Sequence, residues 1–300
     1  METVIDKTRN KHTYPKATGE VSKNAVWPCW AEIKYDGELE FIEYDNGWKV
    51  MNKARYGRVR TNFPVTEEMD STGLPRSLVY VGELYYGEGK LGDLYKLLAN
   101  KTSDDLKLAI FDVLAKDEYS VRRAFLERHF KETPHIHLSK RWRIRDLSRL
   151  NRVFSGVKKR GYEGLMVKND SFVLVKKHIL SSTGDQMKMK HRYTADLAVV
   201  GYKVSKEPAL LLGWNNGKEW IPLSYVGLQP LSKEERADLI GALAQYKVGT
   251  SNGAVIVTPA IVVEVEHQGV TYKGTTPKSL RSPIFKRFRW DKEVSDISLL

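Results

Sequence analysis

The sequence is short of cysteine. It holds one in 300 residues, Cys29. A lone thiol closes no internal disulfide, so the chain suits a reducing compartment and a cytoplasmic location is expected. Cys29 itself reads as a small buried hydrophobe. Long apolar runs are missing too. No stretch approaches the roughly 18 consecutive apolar residues of a membrane span. The opening Met1-Glu-Thr-Val-Ile-Asp-Lys7 has no apolar core for a signal peptide, so no membrane partner is expected. Internal repeats and low-complexity tracts are absent, and a composition of 41% hydrophobic and 29% charged residues argues against a disordered or fibrous chain. Acidic residues are outnumbered, 37 Asp+Glu against 49 Lys+Arg, for a net charge of +12. That balance favours a polyanionic partner, nucleic acid first. Residues 191–300 hold 14 Lys/Arg and 11 Asp/Glu, leaving 35 and 26 in residues 1–190, so the excess lies mainly in the first two-thirds.

Three hundred residues suggest about two domains, each able to bury a core. Up to Pro28 the chain is polar and broken by Pro15, Gly19 and Pro28, and reads as a loop-rich lead-in. From Trp30, short apolar runs alternate with turn signals. Ala31–Lys34 and Leu39–Tyr44 read as strands, and Asp45-Asn46-Gly47 as a hairpin turn. Ser77–Leu84 and Leu106–Leu114 are further strand candidates. Over Asp146–Arg160, Leu147, Leu150, Val153, Phe154 and Val157 fall on one helical face, and Gly161 supplies the stop. After Lys190 strands dominate: Asp196–Val204, Glu219–Val226, Ala254–Val257 and Ile261–His267. One helix, Lys233–Tyr246, interrupts them, and Ser232 with Glu235 has capping-box spacing. Short strands with one helix in about 110 residues suggest a small β-barrel, with the OB-fold a natural candidate. The boundary is placed near residue 190.

The chemistry begins at Lys34-Tyr35-Asp36-Gly37, a lysine at a strand end beside a tight turn. A free lysine has a pKa of about 10.4 and must be desolvated, or set among cations, to act as a nucleophile. By itself the tetrapeptide also fits a surface hairpin. Further along, Gly82-Glu83 and Phe111-Asp112 close strand-like runs, and Glu163-Gly164 leads to Lys168. Lys188-Met189-Lys190 alternates, which puts both ammonium groups on one strand face. Arg281–Lys292 ends in Arg289-Trp-Asp291-Lys292. Carboxylates, an aromatic and paired cations recur at strand ends, in an order suited to a nucleoside triphosphate.

In these motifs the chain resembles the ATP-dependent DNA ligases, covalent nucleotidyltransferases related to RNA ligases and mRNA capping enzymes. The resemblance runs from Trp30 to Lys292 and includes an arginine motif at Lys53-Ala-Arg55-Tyr-Gly57. It implies an α+β fold: a nucleotidyltransferase (ATP-grasp-like adenylation) domain of antiparallel sheets and helices over residues 1–190, then an OB-fold barrel over 191–300. It also implies that Lys34 attacks the α-phosphate of ATP to form lysyl-AMP. Glu32 would read the adenine amino group, Phe111 would stack on the base, and Arg55 and Glu83 would hold the ribose region. Lys168 would belong to the nucleotide site. Glu83 and Glu163 are hard oxygen ligands suited to Mg²⁺, with Mn²⁺ as the alternative. Lys188 and Lys190 would stabilise charge on the α-phosphate and lower the pKa of Lys34. Arg289, Asp291 and Lys292 would orient the leaving pyrophosphate. AMP would then pass to the 5′-phosphate of a nick in double-stranded DNA, and the 3′-hydroxyl would seal it.

Three positions depart from the ligase pattern: Leu39, Val81 and Gln186 stand where an arginine, an aspartate and an aromatic are usual. Lys34 follows only 33 residues, too few for the separate N-terminal DNA-binding domain of larger ligases, and one cysteine cannot build the zinc site of the NAD-dependent type. A minimal, monomeric, two-domain enzyme of prokaryotic or viral type is expected. Its DNA grip is sought at Lys140, Arg141, Arg143 and Arg145 around Trp142, at Lys158, Lys159 and Arg160, and at Lys176-Lys177. An ATP-dependent RNA ligase, a capping guanylyltransferase and a non-catalytic nucleic-acid binder are the alternatives.

Overall fold

Alternation of apolar and polar residues lets a strand bury one face and carry chemistry on the other, and two sheets of the first unit use it in this way. The computed structural model describes residues 14–19, 21–52, 59–60, 64–86, 105–174, 182–205 and 207–297. The chain divides into two compact units, Met1–Lys190 and His191–Leu300.

In the first unit, one sheet joins β1 (Lys16–Thr18), β11 (Ser182–Lys190), β10 (Gly164–Lys168), β2 (Cys29–Lys34) and β9 (Arg141–Ile144), in that order. All pairings are antiparallel except β1 with β11. The other sheet runs β5 (Val59–Arg60), β4 (Trp48–Asn52), β3 (Glu38–Tyr44), β6 (Tyr80–Tyr86), β7 (Leu106–Val113) and β8 (Ile136–Leu138). The opening segment therefore contributes a strand where a lead-in loop was expected. Three residues are too few to show a period, and β1 exists because β11 offers it an edge.

Helices pack against these sheets. The short helices α1 (Val21–Asn24) and α2 (Pro64–Glu68) pack Val21 and Val65 into separate cores. Helix α3 spans Tyr119–His129 and α4 spans Leu147–Lys159. The Asp146 carboxylate caps α4 by accepting from the Arg149 N–H at 2.7 Å. Leu150 and Val157 of α4 pack beneath β2 and β10, against Ala31, Ile33, Leu165 and Val167. Leu147, expected on that face, is 47% exposed.

The second unit begins with β12 (Tyr193–Lys203), which pairs along its end with β13 (Ala209–Asn215) and along its start with β17 (Val262–His267). The sheet continues through β14 (Trp220–Gly227), β15 (Lys247–Ser251), β16 (Ala254–Val257) and β20 (Ile284–Phe288). A separate hairpin joins β18 (Val270–Lys273) to β19 (Thr276–Leu280). Helix α5 (Lys233–Ala244) starts at the expected capping box of Ser232 and Glu235, and sends Leu239 and Leu243 into the core of this unit. Among the described residues, no helix is long and apolar enough to cross a membrane.

Candidate active site

Register in the five-stranded sheet builds the site. Lys34, Gly164 and Lys190 stand opposite one another across β2, β10 and β11. The next row on the same face is Glu32, Met166 and Lys188; the one after is Trp30, Lys168 and Gln186. The intervening residues point the other way, into the core under α4. From the facing sheet come Leu39, Glu83 and Phe111. With Tyr14 and Lys16, these three and Glu32, Lys34, Met166, Lys168, Gln186 and Lys188 line a cavity of about 420 Å³, a size that suits a small organic ligand.

Two glycines allow this approach. A Cβ on Gly37 would lie 2.2 Å from the Leu84 carbonyl oxygen, and one on Gly164 would lie 1.9 Å from that of Met189. The Asp-Gly and Glu-Gly pairs therefore mark places where backbones close in beside the chemistry.

At one end of the cavity, the Glu163 carboxylate bridges two ammonium groups. Oε2 accepts from Lys34 Nζ, and Oε1 lies 2.6 Å from Lys190 Nζ. Burial, with the Lys190 and Lys34 charges beside it, holds the Lys188 ammonium below the usual lysine range, and Glu163 opposes the shift. Burial pushes the Glu83 carboxyl up to about 7. The Lys34 charge and the Gly37 N–H pull it down, while the Glu163 and Asp36 charges push it up. The nucleophile candidate, two carboxylates and two further cations thus share one region.

At the other end, Glu32 is 1% exposed and held by three donors. Its Oε1 accepts from the Tyr119 hydroxyl at 2.5 Å and from Arg123 Nη1 at 3.3 Å, and its Oε2 lies 2.8 Å from Lys168 Nζ. Lys168 Nζ also sits 4.8 Å from the Phe111 ring centroid. Behind this, Arg122 makes a two-point pair with Asp112, Nε to Oδ1 at 2.7 Å and Nη2 to Oδ2 at 2.9 Å. Burial would raise the Asp112 carboxyl, but Arg122 holds it below the usual carboxylate range. Tyr14 donates its hydroxyl to Asp112 Oδ2 at 2.6 Å and also reaches Gln186 Oε1 at 3.1 Å.

Sequence reasoning missed Tyr14, Tyr119, Arg122 and Arg123. One signal was available: Tyr119, Arg122, Arg123 and Leu126 have the i, i+3, i+4, i+7 spacing of a buried helix face, with arginines in apolar positions.

The remaining expectations divide. Arg55 and the Lys176-Lys177 pair lie outside the described residues. Arg289 and Lys292 belong to the second unit, where both pair with Asp196 at 2.7 Å. Arg143, expected at the DNA grip, is paired: Asp170 accepts from its two Nη groups at 2.6 and 2.5 Å, and its guanidinium lies over the Trp30 ring. Arg145 is exposed, and so are Lys158 and Lys159 on the last turn of α4. Among the described residues, no cluster of three or more His, Cys, Asp or Glu could hold a metal alone. Glu83 and Glu163 fit a hard cation as two oxygen donors, whose remaining ligands would be phosphate oxygens and water.

Known proteins place this arrangement. A family model described as the ATP dependent DNA ligase domain matches residues 13–176, more than half of the chain. DNA ligase 1 of Methanosarcina barkeri is 26% identical over 334 residues, which cover 90% of this chain and 60% of the relative. The chain thus spans less than two-thirds of that curated relative's length. Among solved structures, Pmar-Lig_Pre aligns with a TM-score of 0.70 at 19% identity, over 93% of this chain and 68% of its own. A Lig E DNA ligase, studied for DNA binding with a minimal scaffold, aligns at 0.65 with 16% identity, over 95% of this chain and 100% of its own. These structures speak for the fold, and the matched domain contains Lys34, Glu83, Phe111 and Glu163 in the cavity geometry just described. The chain belongs to the ATP-dependent DNA ligase family.

Proposed function

We propose that the protein seals nicks in double-stranded DNA through a lysyl-AMP intermediate formed from ATP. One observation carries the reading: Lys34 reaches into a cavity of nucleotide size, with Glu163 and Lys190 at its ammonium and Glu83 and Lys188 beside them.

ATP would enter with its base between the two sheets. Phe111 offers a ring face for stacking. Glu32 accepts a hydrogen bond from the adenine amino group with its remaining lone pair, and Lys168 offers an N–H to an adjacent acceptor on the base. Tyr119 and Arg123 fix the Glu32 carboxylate, so the base meets a pre-set acceptor. Glu83 and Glu163 are the groups that would hold a divalent cation, which when bound neutralises phosphate charge.

Lys34 must leave its Glu163 partner and lose a proton before it attacks. Its Nζ then forms a bond to the α-phosphorus, the bond from that phosphorus to the bridging oxygen breaks, and pyrophosphate leaves. Lys188 and Lys190 stabilise the charge that builds on the α-phosphate oxygens. Arg289 and Lys292 orient the pyrophosphate. The 5′-phosphate of the nick next takes AMP from Lys34, and the 3′-hydroxyl displaces AMP to close the strand.

The second unit is proposed to be an OB-fold barrel. Two features support it: β12 is shared by β13 and β16 on one stretch and β17 on another, and α5 sends Leu239 and Leu243 into the same core. The first unit is proposed as the adenylation domain, and the protein as a monomer.

Incubation with α-labelled ATP should leave a labelled protein, and Lys34→Ala should abolish the label. A chase with nicked DNA should discharge it and seal the strand. Labelling by GTP in preference to ATP, or discharge on nicked RNA alone, would overturn the assignment.

A further inference from the structure

The proposed function gives Arg289 and Lys292 a highly charged anion to meet, yet in the second unit both are already neutralised. Arg289 Nη1 donates to both oxygens of Asp196, at 2.8 and 2.7 Å. Its Nε and Nη2 donate to Asp291 at 2.9 and 2.8 Å. Lys292 Nζ donates to Asp196 Oδ2 at 2.7 Å. Glu264 completes the group, 3.7 Å from Arg289 and 2.9 Å from Arg287. Three cations face three carboxylates, so the formal charge of the cluster is zero. A neutral cluster offers little to a pyrophosphate.

The carboxylates are not equivalent. Asp291 lies two residues from Arg289 and moves with it. Glu264 has Arg287 as its cross-strand partner. Asp196 lies on β12, far from the C-terminal motif in sequence, and alone touches both cations. It also stands directly opposite Glu264 in the β12–β17 register. Two like charges face to face repel, and the Arg289–Lys292 cations screen them.

We propose that Asp196 is a positioning residue that holds Arg289 and Lys292 in a neutral resting arrangement and competes with the pyrophosphate end of ATP for both. The inference rests on the proposed role of those two cations. Each time ATP is engaged, the two side chains exchange a carboxylate for phosphate oxygens; when pyrophosphate departs, Asp196 takes them back. Its charge thereby weakens the hold on the product as well as on ATP.

Asp196→Asn removes the charge, keeps the shape and relieves the repulsion with Glu264, so the variant should fold. Two quantities test it in the full chain: the KM for ATP in self-adenylation, and the pyrophosphate concentration that half-reverses lysyl-AMP. Both should fall, by about fivefold, as befits a part-exposed ion pair. Asp196→Ala should move both the same way. Values that stay put or rise in both variants overturn the proposal. Arg289→Ala separates the two layers: if it raises neither quantity, the role given to Arg289 fails and the inference falls with it. If it raises both while the Asp196 variants change nothing, the role stands and Asp196 is merely structural.

Discussion

Gly37 shows how much one hydrogen atom can decide. The nearest atom to a Cβ there would be a backbone oxygen at 2.2 Å, which cannot step aside without parting β3 from β6. Gly37→Ala should therefore cut self-adenylation by at least about tenfold, because Lys34 is displaced with the turn. Gly156 lies in α4 with nothing within 4 Å of a built Cβ. Gly156→Ala should raise stability to denaturant by about 0.5–1 kcal/mol, through helix propensity alone. The Asp112–Arg122 pair has no exposure on either side chain. Asp112→Ala would leave Arg122 buried without its counter-charge and should cost about 3–5 kcal/mol, measured by urea unfolding of the intact chain. Replacing both partners by apolar residues of similar volume should cost much less. That contrast identifies the loss as an orphaned charge and not a lost contact.

At the scale of elements, legibility followed the chemistry of the buried face. Helix α4 announced itself through its apolar face and the Gly161 stop, and helix α5 through a capping box, which forms. Ser232→Ala should lower the stability of the second unit by about 1 kcal/mol. Helix α3 was silent because it buries Tyr119, Arg122 and Arg123 alongside Leu126, so its apolar stripe is written in arginine. The same fact hid the support of Glu32: the carboxylate could be read from its place two residues before Lys34, but not the donors that fix it, which arrive from 87 and 91 residues away. Strand β17 adds a pH dependence. Burial holds His267 below the usual histidine range, and its Nδ1 accepts from the Gly269 N–H at 3.1 Å. The folded state disfavours the protonated ring, so the unfolded chain binds the proton first. Stability from this residue is complete above about pH 6.5 and declines as pH falls below it. Thermal melts from pH 7 to pH 5 should show this loss, and His267→Asn, which keeps an acceptor near Nδ1, should flatten the slope.

For the whole molecule, the excess of positive charge meets a polyanion through its exposed cations. Residues 1–190 hold 35 Lys/Arg and 26 Asp/Glu. Glu127 and Asp170 pair with Arg141 and Arg143, and both guanidiniums lie over Trp30, so these two arginines are predicted to add little to the grip. Lys158 and Lys159 end α4 with exposed side chains, next to Arg160, which is also exposed. Under the proposed function they touch DNA phosphate. Each phosphate neutralised on duplex DNA contributes a slope of about −0.9 to log affinity against log salt. Neutralising the pair as Lys158→Gln with Lys159→Gln should weaken binding to nicked DNA at low salt and make the slope shallower by about 2. Arg143→Gln should leave the slope within about 0.3 of the parent, because its charge is already spent on Asp170. Self-adenylation read in parallel separates loss of grip from loss of fold. An unchanged slope in the lysine pair would move the DNA path off this end of α4, and a large change in Arg143→Gln would mean that DNA draws that arginine away from Asp170.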